Sequence, residues 1–263
     1  MLEVTAAQLD AWVNGLMLPL ARLLGLVAAA PLFSNRAISA RIRLAAGLAI
    51  ALAVLPALPP MPPMPADSWL ALTVLAQQML VGIAIGFMMR LFFAAIDVAG
   101  EMIGLQMGLS FAVFFNPQTG GQSSVVAEFL NLLALLIFLA LDGHLMMIAV
   151  LVKSFEWLPV GEMAAANAWM LIVRYASVMF FSGILLALPM VATLLITNIA
   201  LGVLTRSAPQ LNLFAVGFPV TLTVGMIILL ISLSYFAPMA QRLFEIGFQA
   251  IDELMRVMAQ APM

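Results

Sequence analysis

Two uncharged runs constrain this chain more than any other feature: residues 175–205, 31 in number, and residues 207–241, 35 in number. A hydrocarbon core of about 30 Å is crossed by about 20 helical residues, whereas a 31-residue helix rises about 46 Å. Each run must therefore bend, tilt or protrude. Pro189, midway along the first, is the natural bend, because it removes one backbone hydrogen bond and crowds the preceding turn. Gly217, Pro219 and Pro238 punctuate the second.

The remainder is similar in kind. The chain is 65% hydrophobic and 8% charged, against about 25% charged in an average soluble domain, so water cannot solvate such a surface. The expected fold class is all-α, an integral membrane-associated bundle. No break in composition divides residues 1–263, which read as one unit. A net charge of −2 makes no case for nucleic acid.

Further helical segments are expected at 11–33, interrupted by Arg22, at 42–58, and at 69–89, a full-length spanner. Segments 91–115, with Asp97 and Glu101, and 125–141, with Glu128 and Asn131, are too polar to face lipid all round. Residues 239–260 alternate charged and apolar side chains as an amphipathic helix. The prolines at 56, 59, 60, 62, 63 and 65 make residues 56–65 a stiff connector. The N-terminus begins Met1-Leu2-Glu3 and lacks the positive charge of a secretory signal, so the first segment is expected to be retained. Arg36, Arg41 and Arg43 favour a cytoplasmic loop before the second segment.

Catalytic chemistry has little to draw on. There is no cysteine, and His144 is the single histidine, so thiolate chemistry is excluded and a metal cluster or triad would hang on one ring. No enzyme, metal or cofactor is expected. No phosphate-cradling Walker loop occurs, so any energy comes from elsewhere.

Three constellations stand out. Arg90, Asp97 and Glu101 fall within about 40° on one helix face and, with Glu128, place charge at membrane depth. Ion pairing between helices and a proton relay are both open uses. Gly100, Gly104 and Gly108, with Gly82 and Gly86, recur every four residues and would let helix backbones approach closely. The polar loop Asn116-Pro117-Gln118-Thr119-Gly120-Gly121-Gln122-Ser123-Ser124 lies between the apolar runs 109–115 and 125–127. It is either a surface hairpin or a loop that enters and closes a pore, since irregular backbone is tolerated at depth only inside protein or water.

Taken together, several stretches resemble one family, the FliR-type proteins of the flagellar type III export gate. They are Trp12, Pro19 and Arg22; Pro31-Leu32-Phe33; Arg41-Ile42-Arg43; Gly100 to Gly108 running into Asn116-Pro117-Gln118-Thr119-Gly120; and Asp142-Gly143-His144. Ser154-Phe155, Pro159-Val160-Gly161 and Leu188-Pro189 follow. The densest block holds Arg206, Pro209, Gln210, Asn212, Phe214 and Gly217. One departure is Asn116, where the family carries an acidic residue before the proline.

The resemblance implies a bundle of bent helical hairpins within a helical export-gate assembly. It implies a non-enzymatic subunit that helps form and seal a channel for unfolded flagellar proteins, in the bacterial inner membrane at the flagellar basal body. FliP-type and FliQ-type subunits and FlhB-type and FlhA-type components are the implied partners. Residues 108–123, with Phe114, Phe115, Asn116, Pro117, Gln118, Thr119, Gly120, Gly121 and Gln122 at their centre, are similar to the family's pore plug. From the residues alone, a secondary transporter of small solutes using Arg90, Asp97 and Glu101 is the alternative.

Overall fold

Serine starts three of the helices. In the computed structural model, Ser39, Ser68 and Ser124 each accept a backbone N–H from the first turn of the helix that follows, at 3.5, 3.1 and 3.3 Å, satisfying donors that no intrahelical carbonyl can reach. The structure describes residues 6–33, 39–62, 68–109, 124–208 and 213–260. Among them are seven α-helices and no strand: α1 (Ala6–Ala29), α2 (Ala40–Val54), α3 (Trp69–Gln106), α4 (Val125–Ala140), α5 (Gly143–Trp157), α6 (Ala168–Ser207) and α7 (Leu213–Met258). A short 3₁₀ turn, Leu55–Ala57, ends α2 at Pro56. The fold is all-α, as the composition requires.

Among the described residues four stretches are long and apolar enough to cross a membrane: Ala40–Ala57, Trp69–Gln106, Ala168–Ser207 and Ala215–Met258. The segmentation differs from the sequence expectation in two places. Segment 69–89 and the part of segment 91–115 up to Gln106 form one 38-residue helix, α3, that runs through Arg90. Arg90 interrupts the apolar run but not the helix, because its side chain is exposed and no core position has to accept the charge. The amphipathic stretch 239–260 is likewise no separate element; it is the C-terminal part of the 46-residue α7, which passes through Pro219 and Pro238. Pro189 lies inside α6 without ending it.

No composition break divides the chain, but its contacts do, into two compact units: residues 1–91, 142–176 and 245–263, and residues 92–141 and 177–244. In the first unit, α1 crosses the N-terminal half of α3 at backbone distance. A Cβ on Gly82 would collide with the Arg22 carbonyl, and one on Gly86 would lie 2.8 Å from the Ala30 nitrogen. Leu18, Leu23, Leu26 and Val27 of α1, Met88 and Met89 of α3, Leu151 and Phe155 of α5, and Ile251, Leu254, Met255 and Met258 of α7 fill this core.

The second unit is organised around aromatic rings. Phe93 of α3, Phe138 of α4 and Phe244 of α7 meet with centroids 5.0 to 5.5 Å apart, two pairs edge-on and one stacked. Such pairs contribute about 0.5–1.5 kcal/mol each beyond their burial. Gly183 of α6 sits where a Cβ would lie 2.7 Å from the Ala95 carbonyl oxygen, and Gly225 of α7 rests on the buried Met107.

Candidate functional site

The last three turns of α3 make side-chain hydrogen bonds to both α4 and α6. α3 ends in a Schellman motif. Gly108 has φ +78°, Gly108 N–H donates to the Leu105 carbonyl at 3.1 Å, and Leu109 N–H donates to the Gly104 carbonyl at 3.0 Å. A residue with a side chain would pay about 1–2 kcal/mol for that left-handed conformation. Gly108 is therefore a helix stop with the Phe218 ring beside it, and only the other four stripe glycines lie in helix crossings.

The chain re-enters at Ser124, one to two turns back along the same helix. Ser124 N–H donates to the Glu101 carboxylate at 2.7 Å, and a Cβ on Gly104 would collide with the Ser124 hydroxyl. One turn further, Gly100 lies against Ala127, whose Cβ would be 2.8 Å from any side chain there. Asn131 then donates its amide to Asp97 at 2.8 Å. The four-residue spacing of Asp97 and Glu101 puts both on the flank that meets α4, where Ser124 and Asn131 supply the donors. On the far side, Asn198 of α6 donates to Gln106 at 3.5 Å.

This arrangement makes a closed stem. Residues 109 and 124 are held on neighbouring turns of α3, one by helix-end hydrogen bonds and the other by a carboxylate. Residues 110–123, including Phe114, Phe115, Asn116, Pro117, Gln118, Thr119, Gly120, Gly121 and Gln122, lie outside the described residues. So do Pro209, Gln210 and Asn212; Arg206 is exposed near the end of α6, Phe214 falls in the first turn of α7, and Gly217 is buried in α7.

Among the expected charged residues, the structure brings Asp97 and Glu101 together with Asn131 and Ser124, while Glu128 is exposed on α4 between those two donors. Arg90 is exposed and outside that set. In the sequence Arg22 stands out as an interruption of the first apolar run and as part of the family pattern, but nothing there marks Gln78 and Ser154 as its partners. All three are fully buried. The available signal was polarity at positions where an apolar run needs none: Gln78 stands within the uncharged segment 69–89.

Residues 13–246 match the bacterial export proteins, family 1. The chain is 42% identical over 255 residues to the flagellar biosynthetic protein FliR of Escherichia coli (strain K12), covering 97% of both chains. It is 44% identical over 248 residues to the FliR of Pectobacterium carotovorum subsp. carotovorum, covering 93% of this chain and 94% of that one. The FliR of Bacillus subtilis (strain 168) is 30% identical over 183 residues, 68% of this chain and 71% of its own length. With nearly its whole length matched and its helices apolar enough to span a membrane, the chain belongs to the bacterial export proteins, family 1, the family of FliR.

Proposed function

We propose that this chain is a non-enzymatic subunit of the flagellar type III protein export gate, helping to form and seal the channel through which unfolded flagellar proteins leave the cytoplasm. Its place is the bacterial inner membrane, at the flagellar basal body. FliP-type and FliQ-type subunits assemble with it, and FlhB-type and FlhA-type components work beside it. The relatives named for flagellar biosynthesis support the system.

The observation that carries the sealing role is the closed stem at the end of α3. Because Gly108 and Ser124 are fixed on adjacent turns, a change within residues 110–123 need not pull α3 and α4 apart. That suits a plug, which has to yield while the wall around it stays assembled. Asp97 and Glu101 then serve the stem, each accepting from a defined donor; this favours the gate over a solute carrier built on Arg90, Asp97 and Glu101. Deleting residues 116–123, with Ser124 kept, tests the reading in the assembled complex in planar bilayers. Increased resting conductance is expected, and conductance equal to that of the unaltered complex contradicts it.

A further inference from the structure

Arg22 is completely buried, and its hydrogen-bond partners among the described residues are neutral. Its Nε donates to Gln78 Oε1 at 2.8 Å, one terminal nitrogen donates to Ser154 Oγ at 2.9 Å, and the other donates to the Leu158 carbonyl at 3.0 Å. The guanidinium carbon also lies 3.9 Å from the centroid of the Phe155 ring. A buried cation without such partners would be strongly unfavourable. Here the compensation comes from the ring face and from the end of α5, where carbonyls without intrahelical donors carry partial negative charge. Gln78 is fully buried and its Nε2 has no partner among the described residues. The unpaired donor costs about 1–3 kcal/mol, so the amide is held there for the oxygen it offers Arg22.

The bond to Leu158 falls at the first residue of the loop 158–167 that joins α5 to α6. Further bonds hold the rest of that loop: Gln77, next to Gln78 on α3, donates to the Glu162 carbonyl, and Ala165 N–H donates to the Met258 carbonyl at 3.1 Å. Within the loop, Glu162 N–H donates to the Pro159 carbonyl at 3.2 Å and Gly161 adopts φ +103°. Met163 is carried at the tip, 80% exposed.

We propose that Arg22 is a positioning residue: its planar fork locks α1 to α3 and to the end of α5, and thereby sets the outward loop 158–167 in one place. The charge alone does not do this; three N–H directions do.

The chain has no cysteine, so Met163→Cys gives a single attachment point for a nitroxide in the assembled membrane complex. In Arg22→Met, the mobile fraction of that label is expected to rise several-fold, while a label at Gly202→Cys stays unchanged. Arg22→Lys is expected to behave like Arg22→Met, because an ammonium cannot hold the three acceptors in the same geometry. An immobile label in Arg22→Met, or full restoration by lysine, would overturn the proposal. If Arg22→Met does not accumulate, the pair Gln78→Leu and Ser154→Ala removes two of the three bonds and should give a smaller rise. A label as immobile as in the parent would then count against the lock.

Discussion

A methyl group added at position 82 would have to share space with the Arg22 carbonyl oxygen, which belongs to backbone and cannot swing aside. Gly82→Ala should therefore force α1 away from α3 and cost about 1–3 kcal/mol, lowering the thermal midpoint of the purified complex. Gly202 has nothing within 4 Å of where its Cβ would be, so Gly202→Ala should leave the midpoint unchanged or raise it slightly. Equal losses at the two sites would contradict the crossing. At the stem, Glu101→Gln keeps an acceptor for Ser124 N–H, whereas Glu101→Leu leaves that buried donor unpaired at a cost of about 1–3 kcal/mol. Amide exchange at Ser124 should accelerate markedly in the leucine variant and little in the glutamine one. Residue spacing made the glycine stripe legible, but not the separate task of Gly108, because a four-residue repeat does not disclose a dihedral angle. The carboxylates were legible as costly groups; their partners Asn131 and Ser124 were not, since they lie on another helix.

Among the elements, existence was easier to read than extent. Uncharged runs locate α6 and most of α7, yet the charge of Arg90 marks a segment boundary in the sequence that α3 passes through. A charge ends an apolar run without ending a helix when its side chain has an exposed side, as Arg90 does. The amphipathic face of α7 is clear in both sequence and structure: Arg242, Glu245, Gln249, Glu253 and Arg256 are exposed, while Leu243, Phe244, Ile251, Leu254 and Met255 are buried. α2 is the reverse case. Only 11% of its span is buried within the chain, and Ile42, Leu44, Leu48 and Leu52 are exposed. Leu48→Arg removes no internal packing of note but sets a charge on this face, at a cost of about 2.5–3.5 kcal/mol at mid-membrane. The variant should be depleted from the alkali-resistant membrane fraction, whereas the same substitution at Gln249, exposed on the charged face of α7, should not change that fraction.

For the whole molecule, length is the telling quantity. α3, α6 and α7 have 38, 40 and 46 residues, or about 57, 60 and 69 Å at about 1.5 Å per residue, roughly twice a hydrocarbon core. Of their apolar spans, α3 is 67% buried within the chain and α6 and α7 only 22% each. Large apolar faces, with Phe180, Phe181, Ile196, Ile199, Leu230 and Ile231 all more than half exposed, run further than lipid alone can cover. The hydroxyls on these helices turn inward on their own backbones, as Thr193, Thr197 and Thr223 do toward carbonyls four residues back, leaving few donors to repel an apolar neighbour. A subunit wrapped by other hydrophobic chains accounts for both features. The direct test is purification of the tagged chain, expressed with the FliP-type and FliQ-type subunits proposed as its partners, in mild detergent. A single stable complex containing all three is the predicted result; recovery of this chain alone, fully active in liposomes by itself, would contradict the account.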